Sequence, residues 1–242
     1  MRHVMLPERG EWEVIVEAKR GPVIAIDGPA GAGKSTLARE LARRVGLAYI
    51  NTGAMYRVLA ERALAEGIDP DDGEKLSILA ERISFSLGSR GSDGGELWID
   101  GEPPSPSLSS AEVEAIVSRV ARHAAARAVM RRKQRHLGVE GCVMEGRDIG
   151  TVVFPDADLK LFLSAEPTVR ARRRKRERGK GDHVAEAVAA RDALDARTNP
   201  LVPAADSHVL DTTALSPEEV LGRALALAQA AGLGPGAPGR SS

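Results

Sequence analysis

The residues with the clearest chemical potential form one short run, Gly28-Pro29-Ala30-Gly31-Ala32-Gly33-Lys34-Ser35. This run has the spacing G-x-x-x-x-G-K-[ST], in which glycines let backbone N–H groups wrap closely around phosphates. Lys34 would span the β and γ phosphates of a nucleoside triphosphate, and Ser35 would hold Mg²⁺. Chance produces this pattern in a chain of this length only about once in a hundred times. We therefore predict a triphosphate site made of Gly28, Pro29, Ala30, Gly31, Ala32, Gly33, Lys34, Ser35 and Thr36.

The elements on both sides of this loop suit that role. The β-branched run 23–26 is typical of a buried parallel strand. Leu37, Leu41 and Val45 follow at helical spacing, and Gly46 is placed to end the helix. The loop then lies between a strand and the positive end of a helix, where anions bind well.

The remaining chain continues to alternate between strands and helices. Further strands are predicted at 47–50, 142–145, 159–163 and 208–210, and a β-hairpin at 83–87 and 97–99. Between them lie helices, including a long one that begins at a capping box of Ser109 and Glu112 and reaches about His136, a basic one at 167–178, one at about 183–196, and one capped by Ser216. This order predicts an α/β fold of the P-loop NTPase type. Its five-stranded parallel sheet would have helices on both faces, a hairpin insert and a helical lid.

The composition narrows the class of protein. Of the 242 residues, 43% are hydrophobic and 28% charged, and the 34 basic residues balance 34 acidic ones. A net charge of zero argues against broad coating by nucleic acid. The single cysteine, Cys142, allows no intrachain disulfide. No apolar run reaches the roughly 20 residues of a membrane span, and residues 1–20 lack the apolar centre of a signal peptide. We expect a cytoplasmic monomer without nucleic-acid or membrane partners.

A second polar segment, Thr52-Gly53-Ala54-Met55-Tyr56-Arg57, follows the second strand. It falls on the same sheet edge as the phosphate loop, and Arg57 can form two parallel hydrogen bonds with a phosphate. Thr52 could instead cap the helix, and Arg57 could lie in solvent. The sequence has no Asn-Lys-x-Asp segment of the kind that reads guanine, which argues against a switch GTPase.

A dense basic run, Arg170 to Arg178, allows two interpretations. It could be a solvated or RNA-binding face. In a fold of this class it instead falls where a mobile lid closes over the nucleotide. Phosphoryl transfer needs positive charge and positioning more than a protein nucleophile, which favours the lid.

Four segments together resemble the bacterial cytidylate kinase family. They are 26–34, 52–57, 145–155 (Glu-Gly-Arg-Asp-Ile-Gly-Thr-Val-Val-Phe-Pro) and 201–206 (Leu-Val-Pro-Ala-Ala-Asp), in that family's order, and the likeness runs from about Val23 to Ala231. The second and third segments are far more diagnostic than the phosphate loop.

The resemblance implies ATP-dependent, Mg²⁺-dependent phosphorylation of CMP and dCMP. By position, the acceptor phosphate would be bound by Thr52, Arg57 and Arg147. The cytosine base would be recognised by Ser118, Arg127 and Asp148, and the sugar would be contacted by Arg191 and Asp195. The charge of the transferring group would be neutralised by Arg173 and Arg174, together with Lys34 and Arg147. Arg197 would replace a displaced acceptor-site arginine, because 191–200 is shorter than the family form.

The cytosine assignment has independent chemical sense. A carboxylate at Asp148 could accept from the cytosine amino group while Arg127 donates to the ring nitrogen and carbonyl. Uracil would leave buried groups unpaired, at about 1–3 kcal/mol each. Asp148 could also be a turn residue paired with Arg147 or with a backbone N–H, and Ser118 and Arg127 could lie on a solvated helix face.

The predicted organisation is an N-terminal extension (1–20), a kinase domain (21–231) and a disordered tail (232–242). Within the domain we expect a core (21–50, 138–165 and 205–231), a CMP-binding lobe (51–137) and a lid (about 166–190). Two rivals stay open: a kinase of the same fold with another small acceptor, and an RNA-binding P-loop protein.

Overall fold

The protein contains one five-stranded sheet with every strand pairing parallel. The computed structural model describes residues 20–88, 97–178 and 201–234. Its strands are β1 (Val23–Asp27), β2 (Ala48–Asn51), β5 (Cys142–Gly146), β6 (Leu159–Ser164) and β7 (His208–Asp211), in the spatial order β2-β5-β1-β6-β7. A separate antiparallel hairpin pairs β3 (Phe85–Leu87) with β4 (Leu97–Ile99). The predicted parallel sheet and hairpin are both confirmed.

Seven α-helices are described, and they cover both faces of the sheet. They are α1 (Lys34–Val45), α2 (Thr52–Ala65), α3 (Gly73–Arg82), α4 (Ala111–Ala121), α5 (Ala124–Leu137), α6 (Pro167–Arg178) and α7 (Pro217–Ala230). Gly46 ends α1 in the left-handed conformation, and Ser216 forms a capping box with Glu219 at the start of α7, as predicted.

Alternation along β1 separates two hydrophobic cores. Val23 and Ala25 belong to a core shared with α2, α3, α4, α5 and the hairpin. Ile24 and Ile26 point to the opposite face, into a core shared with α1 and α7. All four residues are fully buried, because a central parallel strand is covered on both sides.

The long helix predicted from Ser109 to about His136 is wrong, since the chain forms two helices there. Ser109 ends a short 3₁₀ turn, and the cap of α4 is Ser110. The chain leaves the helix at Arg122 and His123, where Arg122 pairs with Asp71 and the His123 Nε2 lies 2.9 Å from the Pro70 oxygen. These side-chain contacts hold the break against the α2–α3 connection, and nothing in the local sequence points to them.

Smaller differences concern element ends. Strand β2 begins and ends one residue later than predicted. Helix α3 starts at Gly73, behind the cap residue Asp72. The helix predicted at about 183–196 lies outside the described residues. None of the described helices has the length and apolar character needed to cross a membrane.

Candidate active site

Three loops meet at the carboxyl edge of the sheet because three neighbouring strands end in register. Asp27 of β1 is opposite Gly146 of β5, and Asn51 of β2 is opposite Glu145. The phosphate loop, the start of α2 and the loop after β5 therefore leave the sheet side by side. Ligands in open α/β sheets bind at such an edge, where neighbouring strands connect in opposite directions.

The phosphate loop has a backbone that only glycine allows at two points. Gly28 has φ 145°, and a Cβ atom there would lie 2.2 Å from the Leu163 oxygen. Gly31 has φ 77°, and its Cβ would lie 2.8 Å from the Arg170 oxygen. The loop is thus packed against β6 and α6, which fixes its curvature before any ligand arrives.

We expect Gly28→Ala to destabilise the protein by about 2 kcal/mol and to raise the KM for ATP at least about tenfold, because the loop must move away from Leu163. Urea unfolding and steady-state kinetics measure the two effects. Gly222→Ala is the matched control. A Cβ at this α7 position meets nothing within 4 Å, so no loss is expected there. Equal stability of the two variants would contradict the prediction.

Buried polar groups of α6 and the β7–α7 connection support the loop from below. Arg170 donates to the Ala30 oxygen at 3.2 Å and to the Ala165 oxygen at 3.0 Å. Thr212 donates through Oγ1 to the Ala32 oxygen at 3.1 Å. Arg173 in turn donates to Oγ1 and the carbonyl oxygen of Thr212, at 2.9 and 2.6 Å. Helix α6 is therefore connected to the phosphate loop by hydrogen bonds, directly through Arg170 and indirectly from Arg173 through Thr212.

Asp27 links the phosphate-loop strand to the loop after β5. Its two carboxyl oxygens accept hydrogen bonds from the Ile149 and Gly150 N–H groups, both at 2.8 Å. Burial raises the pKa of Asp27 to about 6, although the two N–H donors act in the opposite direction. The loop that carries Arg147 and Asp148 is thereby fixed to β1.

Lys34 and Arg147 converge on the phosphate loop itself. Lys34 donates from Nζ to the Pro29 oxygen at 2.9 Å, and Arg147 donates from Nη1 to the Gly28 oxygen at 3.1 Å. Burial lowers the pKa of Lys34 to about 7, and the neighbouring Arg147 charge lowers it further. Burial and the Arg147 charge both disfavour the charged form of Lys34, and a bound anion would offset this by stabilising the ammonium group.

A cleft of about 220 Å³ lies at this edge and gathers most of the predicted site residues. From the prediction it contains Ala30, Gly31, Gly33, Lys34, Ser35, Thr36, Thr52, Arg57, Ser118, Arg127, Arg147, Asp148 and Arg174. Gly28, Pro29, Ala32 and Arg173 do not line it. Arg191, Asp195 and Arg197 lie outside the described residues, and their predicted sugar and phosphate contacts stay predictions.

The start of α2 forms one wall of the cleft. Asn51, and not Thr52, caps this helix by accepting from the Ala54 N–H at 2.9 Å. The Thr52 hydroxyl donates to the Glu145 backbone oxygen at 2.7 Å and is buried. The capping alternative for Thr52 is thus excluded, and its side chain ties α2 to β5.

Arg127 and Asp148 both line the cleft and form an ion pair. The Arg127 Nη2 lies 2.7 Å from the Asp148 Oδ2, and the side chains are only 12% and 17% exposed. The two residues come from α5 and from the loop after β5. A solvated face is excluded for Arg127, because its guanidinium group is enclosed and paired.

A second, larger cleft of about 1010 Å³ lies on the other side of the phosphate loop. Gly31, Ala32, Gly33, Thr36 and Arg173 line it, together with residues 212–218. Arg173 and Arg174 therefore point to different clefts, because adjacent helical residues are about 100° apart.

Sequence reasoning gave no role to three residues of this region. Glu145 and Tyr56 line the first cleft, and Tyr49 donates to the Glu145 Oε1 at 2.6 Å. Burial raises the pKa of Tyr56 to about 12. The available signal was an acidic residue at the carboxyl end of a predicted central strand, which is where Glu145 stands.

A doubly wound sheet, a phosphate loop at its carboxyl edge and an arginine-rich second wall define a P-loop phosphotransferase of the nucleoside monophosphate kinase class. The sequence model of the family described as cytidylate kinase matches residues 24–230. The chain belongs to the cytidylate kinase family, and this membership supports phosphorylation of CMP by ATP.

Individual relatives agree with this assignment. The chain is 43% identical to the cytidylate kinase of Pelotomaculum thermopropionicum over 83% of this chain and 92% of the relative. It is 45% identical to that of Exiguobacterium sp. over 84% and 94%. It also matches the bifunctional pantoate ligase/cytidylate kinase of Gloeobacter violaceus at 42% identity, spanning 43% of that longer protein. A solved gluconokinase from Sinorhizobium meliloti 1021 is similar at 16% identity and a TM-score of 0.46, covering 88% of this chain and 95% of that one, and that distant likeness does not bear on function.

Proposed function

We propose that this chain transfers the γ-phosphoryl group of Mg-ATP to CMP or dCMP, giving ADP and CDP or dCDP. The observation that carries the proposal is that one cleft joins a phosphate loop to a largely buried arginine–carboxylate pair, Arg127 and Asp148. The first part suits a triphosphate, and the second suits a base that offers a donor beside acceptors.

The triphosphate would lie on residues 28–36, with the Lys34 ammonium between its β and γ phosphates. Besides its bond to Pro29 the ammonium has two further N–H groups to offer. Among the described residues no cluster of three or more His, Cys, Asp or Glu could cage a metal. This fits Mg²⁺, which phosphoryl-transfer sites usually bind through phosphates, water and one or two protein oxygens. The Ser35 hydroxyl would be such an oxygen, and bound Mg²⁺ would supply positive charge beside the β and γ phosphates.

The acceptor phosphate would lie at the start of α2, between Arg57 and Arg147. Because the Thr52 hydroxyl donates to the Glu145 oxygen, we assign to Thr52 the backbone N–H of the first helical turn instead. Helix N-termini bind phosphate through such N–H groups and the helix dipole. Arg147 also touches the phosphate loop at Gly28, so it could contact both phosphates.

The transfer step would then need no covalent enzyme intermediate. An oxygen of the CMP phosphate attacks the γ phosphorus, and the bond from that phosphorus to the β–γ bridging oxygen breaks, leaving ADP. Arg147 and Arg174 line the cleft beside Lys34 and would stabilise negative charge on the transferring group. We place the adenosine half of ATP in the second cleft, at residues 212–218.

Arg174 and Arg173 should respond differently to truncation. We expect Arg174→Ala to lower kcat about 10²-fold with little change in the KM for CMP, because it faces the transferring group. Arg173→Ala should chiefly raise the KM for ATP and lower the Tm, since it loses two hydrogen bonds to Thr212. Steady-state kinetics and thermal unfolding measure these effects, and a larger kcat loss in Arg173→Ala would reverse the assignment.

An ADP-release assay across CMP, dCMP, UMP, AMP and shikimate tests the proposed function. We expect turnover with CMP and dCMP at low KM, and activity confined to another acceptor would refute it. The RNA-binding rival predicts salt-sensitive RNA binding without acceptor-stimulated ADP release.

Light scattering after gel filtration tests the proposed monomer. The proposed sugar contacts of Arg191 and Asp195, and the phosphate contact of Arg197, predict higher KM values for CMP when each is changed to alanine.

A further inference from the structure

A second arginine of α5 approaches the carboxylate that is proposed to read cytosine. Arg131 lies one helical turn after Arg127, so the two side chains share a helix face. Its Nη2 is 3.6 Å from the Asp148 Oδ2, the same oxygen that Arg127 contacts at 2.7 Å. Two guanidinium groups therefore hold one carboxylate oxygen. Within the described part of the chain, Asp148 Oδ1 accepts no hydrogen bond.

Arg131 has little structural reason to be an arginine. Its Nε is buried and has no hydrogen-bond partner among the described residues. A buried donor without a partner destabilises the folded state. Among those residues, Asp148 is also the one group with which Arg131 forms an ion pair. The buried Nε of Arg131 therefore destabilises the fold, and no hydrogen bond within the described residues offsets this.

Arg131 also lies behind Asp148 and does not itself line the cleft. Its side chain is 31% exposed, compared with 12% for Arg127. An effect of Arg131 on the nucleotide is therefore expected to pass through a neighbouring cleft residue, and Asp148 is the one with which it forms an ion pair. Arg127, by contrast, lines the cleft and must divide its N–H groups between the carboxylate and the base.

We propose that Arg131 is a specificity-determining positioning residue, which holds Asp148 by Oδ2 so that Oδ1 meets the cytosine amino group while Arg127 donates to the ring. This inference depends on the proposed function, because it assumes that Asp148 faces the base. A carboxylate held in this way presents only an acceptor to the 4-position. Cytosine satisfies it with an amino donor, whereas uracil sets its carbonyl oxygen against it. Without Arg131 the carboxylate can rotate away, and discrimination falls.

The test compares Arg131→Leu and Arg131→Gln with Arg132→Leu. Arg132 is the neighbouring residue, is 41% exposed and pairs with Glu81, so it serves as the control. We measure kcat and KM for CMP, UMP and ATP, the Kd for CMP by calorimetry, and the Tm. A partly exposed ion pair is worth about 1 kcal/mol, which is roughly fivefold in affinity.

We expect both Arg131 variants to raise the KM and Kd for CMP about fivefold and to lower the preference for CMP over UMP by a similar factor. The values of kcat and of the KM for ATP should stay within about twofold, and Arg132→Leu should match the unchanged enzyme. A lower Tm with an unchanged CMP-to-UMP ratio would show a merely structural role and overturn the inference. If the unchanged enzyme itself does not prefer CMP to UMP, the proposed function fails instead.

Discussion

Replacing Lys34 by alanine is expected to lower kcat with CMP at least about 10³-fold. Lys34 starts α1, lies in the cleft and donates to the phosphate loop at Pro29. Its ammonium would stabilise the charge that develops between the β and γ phosphates, and removing one such preorganised group costs about 10²–10³ in rate or more. The coupled ADP-release assay measures this loss.

The fold should tolerate the Lys34 substitution. Burial lowers the pKa of Lys34 to about 7, which means that the folded protein disfavours the charged form. Removing the side chain therefore does not remove a stabilising charge, and the Tm should be unchanged or higher. Lys75→Ala, at an exposed position on α3, is the matched control and should keep full activity. Activity within tenfold of normal in the Lys34 variant would contradict the proposed site.

The same lowered pKa makes ATP binding depend on pH. Above pH 7 much of Lys34 is neutral before ATP binds, and the negative triphosphate raises its pKa. ATP binding at pH 8 should therefore take up a proton, and at pH 6, where Lys34 is already charged, it should take up less. Calorimetry in two buffers with different ionisation enthalpies measures this uptake, and the Lys34→Ala variant should lack it. Identical uptake in both proteins would assign the proton to another group.

The second large effect is expected for Asp148→Asn. We expect kcat/KM for CMP to fall about 30- to 100-fold while that for UMP changes much less, so that the preference for CMP collapses. An amide can donate to the uracil 4-carbonyl as readily as it accepts from cytosine. It also loses its charge-assisted hydrogen bond from Arg127, which contributes about 1.5–3 kcal/mol, and its ion pair with Arg131.

The Asp148 prediction is checked by kcat/KM for CMP and UMP under identical Mg-ATP concentrations. Asp69→Asn, the same chemical change on an exposed residue of the α2–α3 connection, should alter neither value. The KM for ATP should change much less, since among the described residues Asp148 forms its side-chain contacts with Arg127 and Arg131 and not with the phosphate loop. A constant CMP-to-UMP ratio in Asp148→Asn would remove Asp148 from base recognition, and with it the proposed role of Arg131.

The sequence predicted structural elements correctly where the residues that determine an element lie close together in the chain. The β-branched run before Gly28 indicated a buried parallel strand, the glycine pattern indicated the phosphate loop, and Ser216 indicated the start of α7. Each depends on residues within a few positions of one another. The parallel pairing was predicted from the alternation of strands and helices, because a helical crossover is long enough to return the chain to the end of the sheet where the previous strand began.

The errors arose where distant residues decide the local structure. The break between α4 and α5 depends on Asp71 and Pro70, about fifty residues earlier. Helix geometry separates the directions of Arg173 and Arg174, but the fixing of Arg173 depends on Thr212, which binds it from the β7–α7 connection. Neither partner carries a sequence signal that points to these arginines.

The sequence by itself determined the chemistry of this protein: a loop for phosphates, arginines for a second phosphate, and a carboxylate beside an arginine in a family-specific order. Only the tertiary structure decided which of these groups share a cleft. In the folded protein Arg131 forms an ion pair with Asp148, and the Thr52 hydroxyl donates to the Glu145 backbone oxygen. Arg173 lines the second cleft and not the first. The physical reason is that residue type and spacing fix what a side chain can bind, whereas the packing of separate elements fixes what lies within its reach.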